Sequence, residues 1–307
     1  MVTQAAIRGT RPNRGDYLLL VALGLTWGAS FLLIKIAVAT IPPLTVVAGR
    51  IVVGAVVLGV IAALRGTRLP TDGRSWAKLA LMGTLGTVLP FALISWGETR
   101  IDSGLAAILM SFVPIGALVL AHFVQHDEPM TPGKIVGVVL GAVGIVVLVG
   151  PSALAGLGHE LVAQIAVLGA ALCYAGNTVL ARRLGGLPAD IVSIGMLLTA
   201  AVIAVPAALV VDQPWRLEPS ALSILAVVLL GVVSTALGYV LLFAVIARAG
   251  AGFAAFNNFL VPPVGVVWGV ALLGETPSPH ALAALLIVLA GLAAPRLWTR
   301  GLGRGAG

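Results

Sequence analysis

The 307-residue chain carries 18 Lys and Arg against 11 Asp and Glu, so that 9% of its residues are charged while 60% are apolar. Soluble globular proteins are about 25% charged, and a chain with a mean hydropathy of +1.11 lacks the charge to cover its surface in water. Despite a net charge of +7, this composition excludes a soluble enzyme, a nucleic-acid-binding domain and a disordered chain. We predict an all-α integral membrane protein.

Apolar segments long enough to cross a bilayer follow one another along the whole chain. A helix needs about 20 residues to cross a hydrocarbon core about 30 Å thick, and ten segments meet this requirement. They lie at 17–38, 43–64, 75–96, 101–122, 132–150, 161–183, 189–211, 219–247, 251–273 and 278–298. Their continuous apolarity excludes a transmembrane β-barrel, whose strands alternate polar and apolar residues.

Basic residues are distributed unevenly between the two ends of the predicted spans. With ten spans both termini share one side, and 14 of the 18 Lys and Arg residues lie on that side. Arg100 and Arg216 lie on the other side, and Lys35 and Arg50 fall inside spans. By the positive-inside rule we predict a multi-pass protein of the cytoplasmic (inner) membrane with both termini in the cytoplasm.

The second half of the sequence repeats the first at a shift of 147 or 148 residues. The matching positions carry similar side chains: Trp27 with Tyr174, Lys35 with Arg182, Arg100 with Arg248, Pro114 with Pro262, and Glu128 with Glu275. Each repeat holds five spans, an odd number, so the second copy must be inverted in the membrane. Inverted repeats are a recurring plan of secondary transporters, which bind substrate near the midplane between the halves.

The repeat sets the predicted domain organisation. It comprises a cytoplasmic tail at 1–16, a first five-helix repeat at 17–150, a linker at 151–160, a second five-helix repeat at 161–298 and a cytoplasmic tail at 299–307.

Several of these residues also resemble a known family. The matching pieces are Trp27-Gly28-x2-Phe31-x3-Lys35, the lone Arg50, Ala106-Ala107 with Pro114 and Glu128, and Arg248-x3-Gly252-x-Ala254-Ala255 with Pro262 and Gly274-Glu275. This pattern, over about residues 15–298, resembles the ten-helix EamA-type branch of the drug/metabolite transporter superfamily. The resemblance implies two inverted five-helix repeats around a central cavity, and transport of small metabolites. Related four-helix multidrug exporters carry an acidic residue in helix 1 for proton exchange, whereas the first span here has none after Asp16, which argues against proton antiport by their mechanism.

The predicted function is therefore a secondary transporter of small organic metabolites, such as amino acids, related compounds or drugs, working by alternating access and most simply as an exporter. The alternatives are a membrane-integral enzyme acting on lipid or envelope precursors, and a noncatalytic membrane scaffold. Neither needs an inverted repeat, and an enzyme would need acid, base or nucleophilic groups gathered at one interface. The acidic residues of this chain stand singly at predicted loop positions.

Two basic residues inside the predicted spans are candidate substrate contacts, because a cation within the bilayer costs at least about 2.5–3.5 kcal/mol. Arg50 lies seven residues into the second span, about 10 Å below its boundary. It is a candidate for binding a substrate carboxylate, the alternative being a structural cap on the carbonyls of broken helix ends. Lys35 lies about three residues from the end of its span, where it either contacts substrate or reaches the interface.

Aromatic and amide side chains are the candidate lining of the substrate cavity. They are Trp27, Trp96, Tyr174, Asn177, Tyr239, Asn257 and Asn258. Aromatic faces suit a nonpolar or aromatic part of a substrate, and a buried amide needs a partner because an unpaired polar group is costly in lipid. The alternative is structural, with rings that pack the core and amides that join helices.

Four further residues are candidate hinges or gates. Pro114 and Pro262 remove backbone hydrogen bonds within spans, which makes them either gating hinges or packing features. Glu128 and Glu275 each precede a helix that starts with proline, where a carboxylate favours the positive helix N-terminus; the alternative is ion pairing at a gate.

Metal and cofactor motifs are weak in this sequence. His122 and His126 stand four residues apart before Asp127 and Glu128, but a third ligand at the usual spacing is missing, and no P-loop occurs. We predict no metal and no cofactor. The expected partners are a small-molecule substrate and the lipid bilayer, without nucleic acid, and a monomer is favoured over a homodimer.

Overall fold

Helices make up every regular element in the described part of the chain. The computed structural model describes residues 12–124, 130–154, 159–184 and 186–304. The helices are α1 (Arg14–Ala37), α2 (Pro43–Leu64), α3 (Gly73–Gly83), α4 (Leu89–Gly97), α5 (Ser103–Met110), α6 (Val113–Val124), α7 (Pro132–Leu154), α8 (His159–Leu184), α9 (Ala189–Val211), α10 (Ala221–Leu229), α11 (Gly238–Ala249), α12 (Ala251–Ala254), α13 (Asn257–Leu273) and α14 (Pro279–Arg304).

The predicted ten-span architecture is confirmed. Nine helical segments of the described residues are long and apolar enough to cross a membrane, and Pro279–Pro295 forms a shorter apolar helix. The second, seventh and ninth spans have the predicted bounds, and the others differ by a few residues. We call the end of the bundle where α1 begins and α14 finishes the terminal end, and the other the opposite end.

Local sequence signals determine where several helices begin. The Asn13 side chain accepts a hydrogen bond from the Asp16 amide, and the Asp16 carboxylate accepts one from the Asn13 amide, which forms a capping box. Asp72 caps α3 at the Ser75 amide, and Ser220 caps α10 at the Ser223 amide. These two caps lie 148 positions apart, in corresponding parts of the two repeats.

The third and eighth spans are each interrupted by a π-helical segment. Thr84–Val88 separates α3 from α4, and Leu230–Leu237 separates α10 from α11. A shift of 147 residues places the first segment within the second. π-Helical turns are rare and concentrate at functional sites. Their recurrence at equivalent positions makes both segments candidates for a functional role.

Helix packing follows a two-fold relation between the halves. The second, fifth and fourth spans pack against their own equivalents, as α2 against α9, α7 against α14, and α5 against α13. The remaining pairs exchange: α1 packs against α13 and α10–α11, and α8 correspondingly packs against α5–α6 and α4. Two inverted repeats thus enclose the centre of the bundle.

The periphery of the bundle suits a lipid environment. Large apolar side chains are exposed on the outer helix faces, including Val202 and Val210, each 75% exposed, and Leu286. Between α7 and α14 the helices approach closely, since a Cβ atom on Gly137 would lie 2.7 Å from the Gly291 carbonyl oxygen. The small residues of α7 therefore serve a contact within the chain.

Candidate functional site

Arg50 is buried at the centre of the bundle. Its side chain in α2 is 5% exposed, and its Nε atom donates a 2.9 Å hydrogen bond to the hydroxyl of Thr235 in the second π-helical segment. Its guanidinium carbon lies 3.6 Å from the ring centroid of Phe91 in α4, a cation–π contact. A hydroxyl and a ring hold the cation, and not the carbonyls of a broken helix end, while a contact with substrate stays a prediction. Two terminal amino groups remain as donors toward a ligand.

Two tyrosines complete the surroundings of Arg50. Tyr174 of α8 and Tyr239 of α11 interact with its charge electrostatically, and Tyr174 packs against both large core clusters. The ring of Tyr239 stacks on Phe243 with centroids 6.1 Å apart and planes 13° apart. We call Arg50, Thr235, Phe91, Tyr174 and Tyr239 the central site.

Trp27 supports the central site from α1. Its indole Nε1 donates a 3.2 Å hydrogen bond to the backbone carbonyl of Ser234, the residue before Thr235. A Cβ atom on Gly238 would clash with this indole nitrogen, so the absence of a side chain at Gly238 makes room for the ring. A carbonyl within a π-helical segment is thus paired by a side chain of the other repeat.

A cavity leads from the terminal end toward the central site. It measures about 280 Å³, and its lining includes Arg65 and Thr67 after α2, Asp190 in the first turn of α9, and Tyr239 and Phe243 of α11. Thr67 donates a hydrogen bond to the Asp190 carboxylate across its mouth. Tyr239 therefore belongs both to the cavity wall and to the surroundings of Arg50.

Lys35 and Trp96 lie at the opposite end, away from this cavity. The Lys35 Nζ atom donates to the backbone carbonyls of Glu98, at 2.9 Å, and Ile101, at 2.7 Å. These two bonds hold the ammonium group, and its contact with substrate or with the interface stays a prediction. Trp96 is half-buried and lies 4.2 Å from the Arg100 guanidinium carbon. Lys35 thus ties α1 to the loop that follows α4.

The candidate amides occupy separate places. Asn177 of α8 packs tightly against Gly86 in the first π-helical segment, near the central site. Asn257 is 3% exposed, faces Gly24 of α1 and lies at the start of α13 beside the half-buried Asn258. The Oδ1 atoms of Asn177 and Asn257 find no hydrogen-bond partner among the described residues, and so remain acceptors.

The candidate hinge and gate residues differ in what the structure shows of them. Pro114 is the second residue of α6, after a break at residues 111–112 in the fourth span, and Pro262 lies inside α13. Glu275 accepts hydrogen bonds from the amides of Ser103, at 2.8 Å, and Gly104, at 2.9 Å. It therefore caps α5, and not the proline-started helix that follows it in sequence. Glu128, like His126, lies outside the described residues.

Glu98 is a residue that the sequence reasoning missed. Its position just beyond α4 agrees with the prediction that the acids stand at loop positions, but its side chain is 0% exposed. Thr235 and Phe91 were missed as well. The adjacent hydroxyls Ser234-Thr235 in an otherwise apolar span were the available signal for Thr235, whereas Phe91 is one apolar residue among many.

Comparison with known proteins gives a family match over both halves of the chain. The model of the EamA-like transporter family matches residues 15–150 and again residues 161–294. A probable terminal-alkyne amino-acid exporter of Streptantibioticus cattleyicolor is 27% identical over 275 residues, 89% of this chain and 90% of that protein. The uncharacterized transporter YvbV of Bacillus subtilis is 26% identical over 284 residues, 91% of this chain and 90% of that protein.

Two further similarities complete the comparison. The uncharacterized inner membrane transporter YedA of Escherichia coli is 26% identical over 272 residues, 88% of this chain and 87% of that protein. A chain of a solved crystal structure superposes with a TM-score of 0.68 at 19% identity, and the match covers 95% of this chain and 99% of that chain. At this identity the superposition shows a shared fold.

Proposed function

Because this chain belongs to the EamA-like transporter family, we propose that it is a secondary carrier that exports small organic metabolites with a carboxylate group, amino acids first among them. The family and its relatives establish a multi-pass membrane transporter; the substrate class, the direction and the alternating-access mechanism are the proposal.

The observation that carries the substrate class is the buried cation of the central site. Among the described residues no carboxylate contacts the guanidinium of Arg50, which a hydroxyl and a phenyl ring hold in place. A buried charge without a counterion is costly, and a guanidinium presents parallel donors that match a carboxylate. A substrate carboxylate would supply the missing counterion, and the rings of Tyr174 and Tyr239 would contact its apolar part.

The inverted repeats support alternating access. Two halves of the same fold can exchange their conformations at similar energy, so that a cavity open at one end has an equivalent at the other. In this structure the cavity beside Tyr239 opens at the terminal end. The positive-inside rule assigns that end to the cytoplasm and the chain to the cytoplasmic membrane, in line with the relative named as an inner membrane transporter. Under this proposal, the cavity at the terminal end is where an exporter takes up its substrate from the cytoplasm.

Counterflow of radiolabelled amino acids into proteoliposomes tests the proposal. The panel contains amino acids, their decarboxylated amines and their amides, so that the contribution of the carboxylate is measured directly. We expect uptake above that of empty liposomes for the carboxylates only, reduced strongly by Arg50→Ala and little by Arg216→Ala, an exposed arginine at the opposite end. Equal uptake of the amines and amides would overturn the substrate class, and uptake of no compound would overturn the carrier.

A further inference from the structure

Glu98 has a buried carboxyl group for which the described residues provide no hydrogen-bond donor. It follows α4 at the opposite end and is 0% exposed, and neither of its carboxyl oxygens has a hydrogen-bond partner among the described residues. The nearby ammonium of Lys35 donates to the backbone carbonyls of Glu98 and Ile101 and not to this carboxylate. A carboxylate buried without donors is strongly disfavoured, whereas a protonated carboxyl is not.

The charged groups around Glu98 come from three elements. Lys35 of α1 and Arg50 of α2 favour its ionised form, and Glu275, before α14, disfavours it. The neighbouring α8 packs on Gly97 through Ala163 and Val167, which are apolar. Burial raises the pKa of the Glu98 carboxyl well above its usual range, against the opposing effect of Lys35.

The acids of the adjoining loop are held differently. Glu275 is engaged by the amides of Ser103 and Gly104. Burial and the charge of Glu275 raise the pKa of Asp102 as well, but Asp102 lies at the wall of a crevice and is half-accessible. Arg100, in the same loop, is exposed over Trp96. Glu98 is therefore the acid of this region whose ionisation needs a change in conformation.

We propose that the carboxyl group of Glu98 is a proton-binding site, protonated while the opposite end is closed and emptied when that end opens. This deepens the carrier function proposed above and rests on its alternating access. On opening, water reaches the carboxyl, its O–H bond breaks, the proton passes to water and the electron pair stays on the carboxylate. The carboxylate then competes with the carbonyls of Glu98 and Ile101 for Lys35, which weakens the bonds that close this end.

A proton site at Glu98 makes the equilibrium between the closed and open conformations of the opposite end depend on pH. The closed conformation holds the proton more tightly than the open one, so acid favours the closed opposite end and alkali favours the open one. A difference of one unit in pKa between the two conformations changes their ratio about tenfold.

Cysteine accessibility measures this change without substrate. Ile101 is 4% exposed, so Ile101→Cys in a Cys173→Ser background reports opening when purified protein in lipid nanodiscs is treated with a maleimide. Thiol reactivity itself rises with pH, so the labelling rates of Ile101→Cys are divided by those of Thr99→Cys, which is exposed in the same loop.

We expect this ratio of labelling rates to rise about tenfold from acid to alkaline pH. It should stay low and flat with Glu98→Gln, and rise as before with Glu98→Asp and with the control Asp102→Asn. A rise that survives Glu98→Gln would overturn the proposal.

An infrared measurement covers the case in which Glu98→Gln fails to fold. The unsubstituted protein at neutral pH should show the C=O stretching band of a protonated carboxyl, and its absence from the unsubstituted protein would overturn the proposal. Neither measurement involves a substrate, so a negative counterflow result leaves both intact, and a positive counterflow result does not support Glu98.

Discussion

Arg50 and Thr235, 185 positions apart, are joined by a 2.9 Å hydrogen bond from the guanidinium Nε atom to the threonine hydroxyl. The bond links the second span of one repeat to the π-helical segment of the other. The position equivalent to Arg50 under the 147-residue shift is Leu197, which is apolar and 0% exposed. The two repeats therefore share a fold, but only the first carries a buried cation at this position. This asymmetry supports a role for Arg50 in substrate binding.

Substitution of Arg50 is expected to weaken binding of a carboxylate substrate far more than it alters expression. Hydrogen bonds to charged groups contribute about 1.5–3 kcal/mol, so Arg50→Gln should raise the half-saturating concentration in counterflow about 10- to 100-fold. Thr235→Val, which removes only the positioning hydroxyl, should have a smaller effect. Arg216→Gln is the matched control. An equal change with Arg216→Gln, or none with Arg50→Gln, would contradict the role given to this cation.

The packing of Trp27 on Gly238 predicts a pair of compensating substitutions. Gly238→Ala places a methyl group against the indole nitrogen, and such overpacking costs about 1–3 kcal/mol, so the apparent Tm in detergent should fall. Trp27→Phe removes the clashing indole atoms, so the double variant should regain much of the lost apparent Tm. The hydrogen bond from the indole to the Ser234 carbonyl is lost as well. Gly252→Ala is the control, because nothing lies within 4 Å of its added methyl group. A fall of equal size in the control would falsify this account.

The sequence predicts the spans well because apolarity over about 20 residues is a local property. The bounds of α2 and α9, which begin at or next to proline, agree with the prediction, and Arg50 lies within α2 and is buried. The π-helical segment Leu230–Leu237 was not foreseen, since no charge or proline marks it. The contacts of Arg50 with Thr235 and of Glu275 with α5 join distant parts of the chain, and local patterns do not encode such pairings.

Removal of the Glu275 charge should loosen the opposite end. Its carboxylate accepts from two backbone amides at the start of α5, and the loss of a helix cap typically costs about 1 kcal/mol, to which the interaction with the helix N-terminus adds. Glu275→Gln should therefore lower the apparent Tm and raise maleimide labelling at Ile101→Cys. Glu218→Gln, an exposed acid at the same end, should change neither. Labelling that rises in both variants would show that the effect is not specific to the cap.

The ion pair of the terminal end predicts an asymmetric double-mutant cycle. The Arg248 Nε atom donates a 2.8 Å hydrogen bond to the Asp16 carboxylate, and the two side chains are 53% and 4% exposed. Arg248→Gln leaves the negative charge of Asp16 buried. Asp16→Asn leaves an arginine that water can solvate, and its amide oxygen can still accept the hydrogen bond from the Asn13 backbone amide. Because half of the pair is solvated, we expect Arg248→Gln to cost some stability, measured as a lower apparent Tm, and Asp16→Asn to cost less.

Addition of Asp16→Asn to Arg248→Gln should recover most of that cost, because the double variant no longer buries a charge. Thermal unfolding of the four proteins in one detergent gives the coupling energy of the pair. The matched control is Arg100→Gln, at the position equivalent to Arg248, where the guanidinium is exposed over Trp96; its apparent Tm should remain within experimental error of the parent. If the double variant is as unstable as the sum of the two single ones, the pair does not tie α1 to α11 at this end.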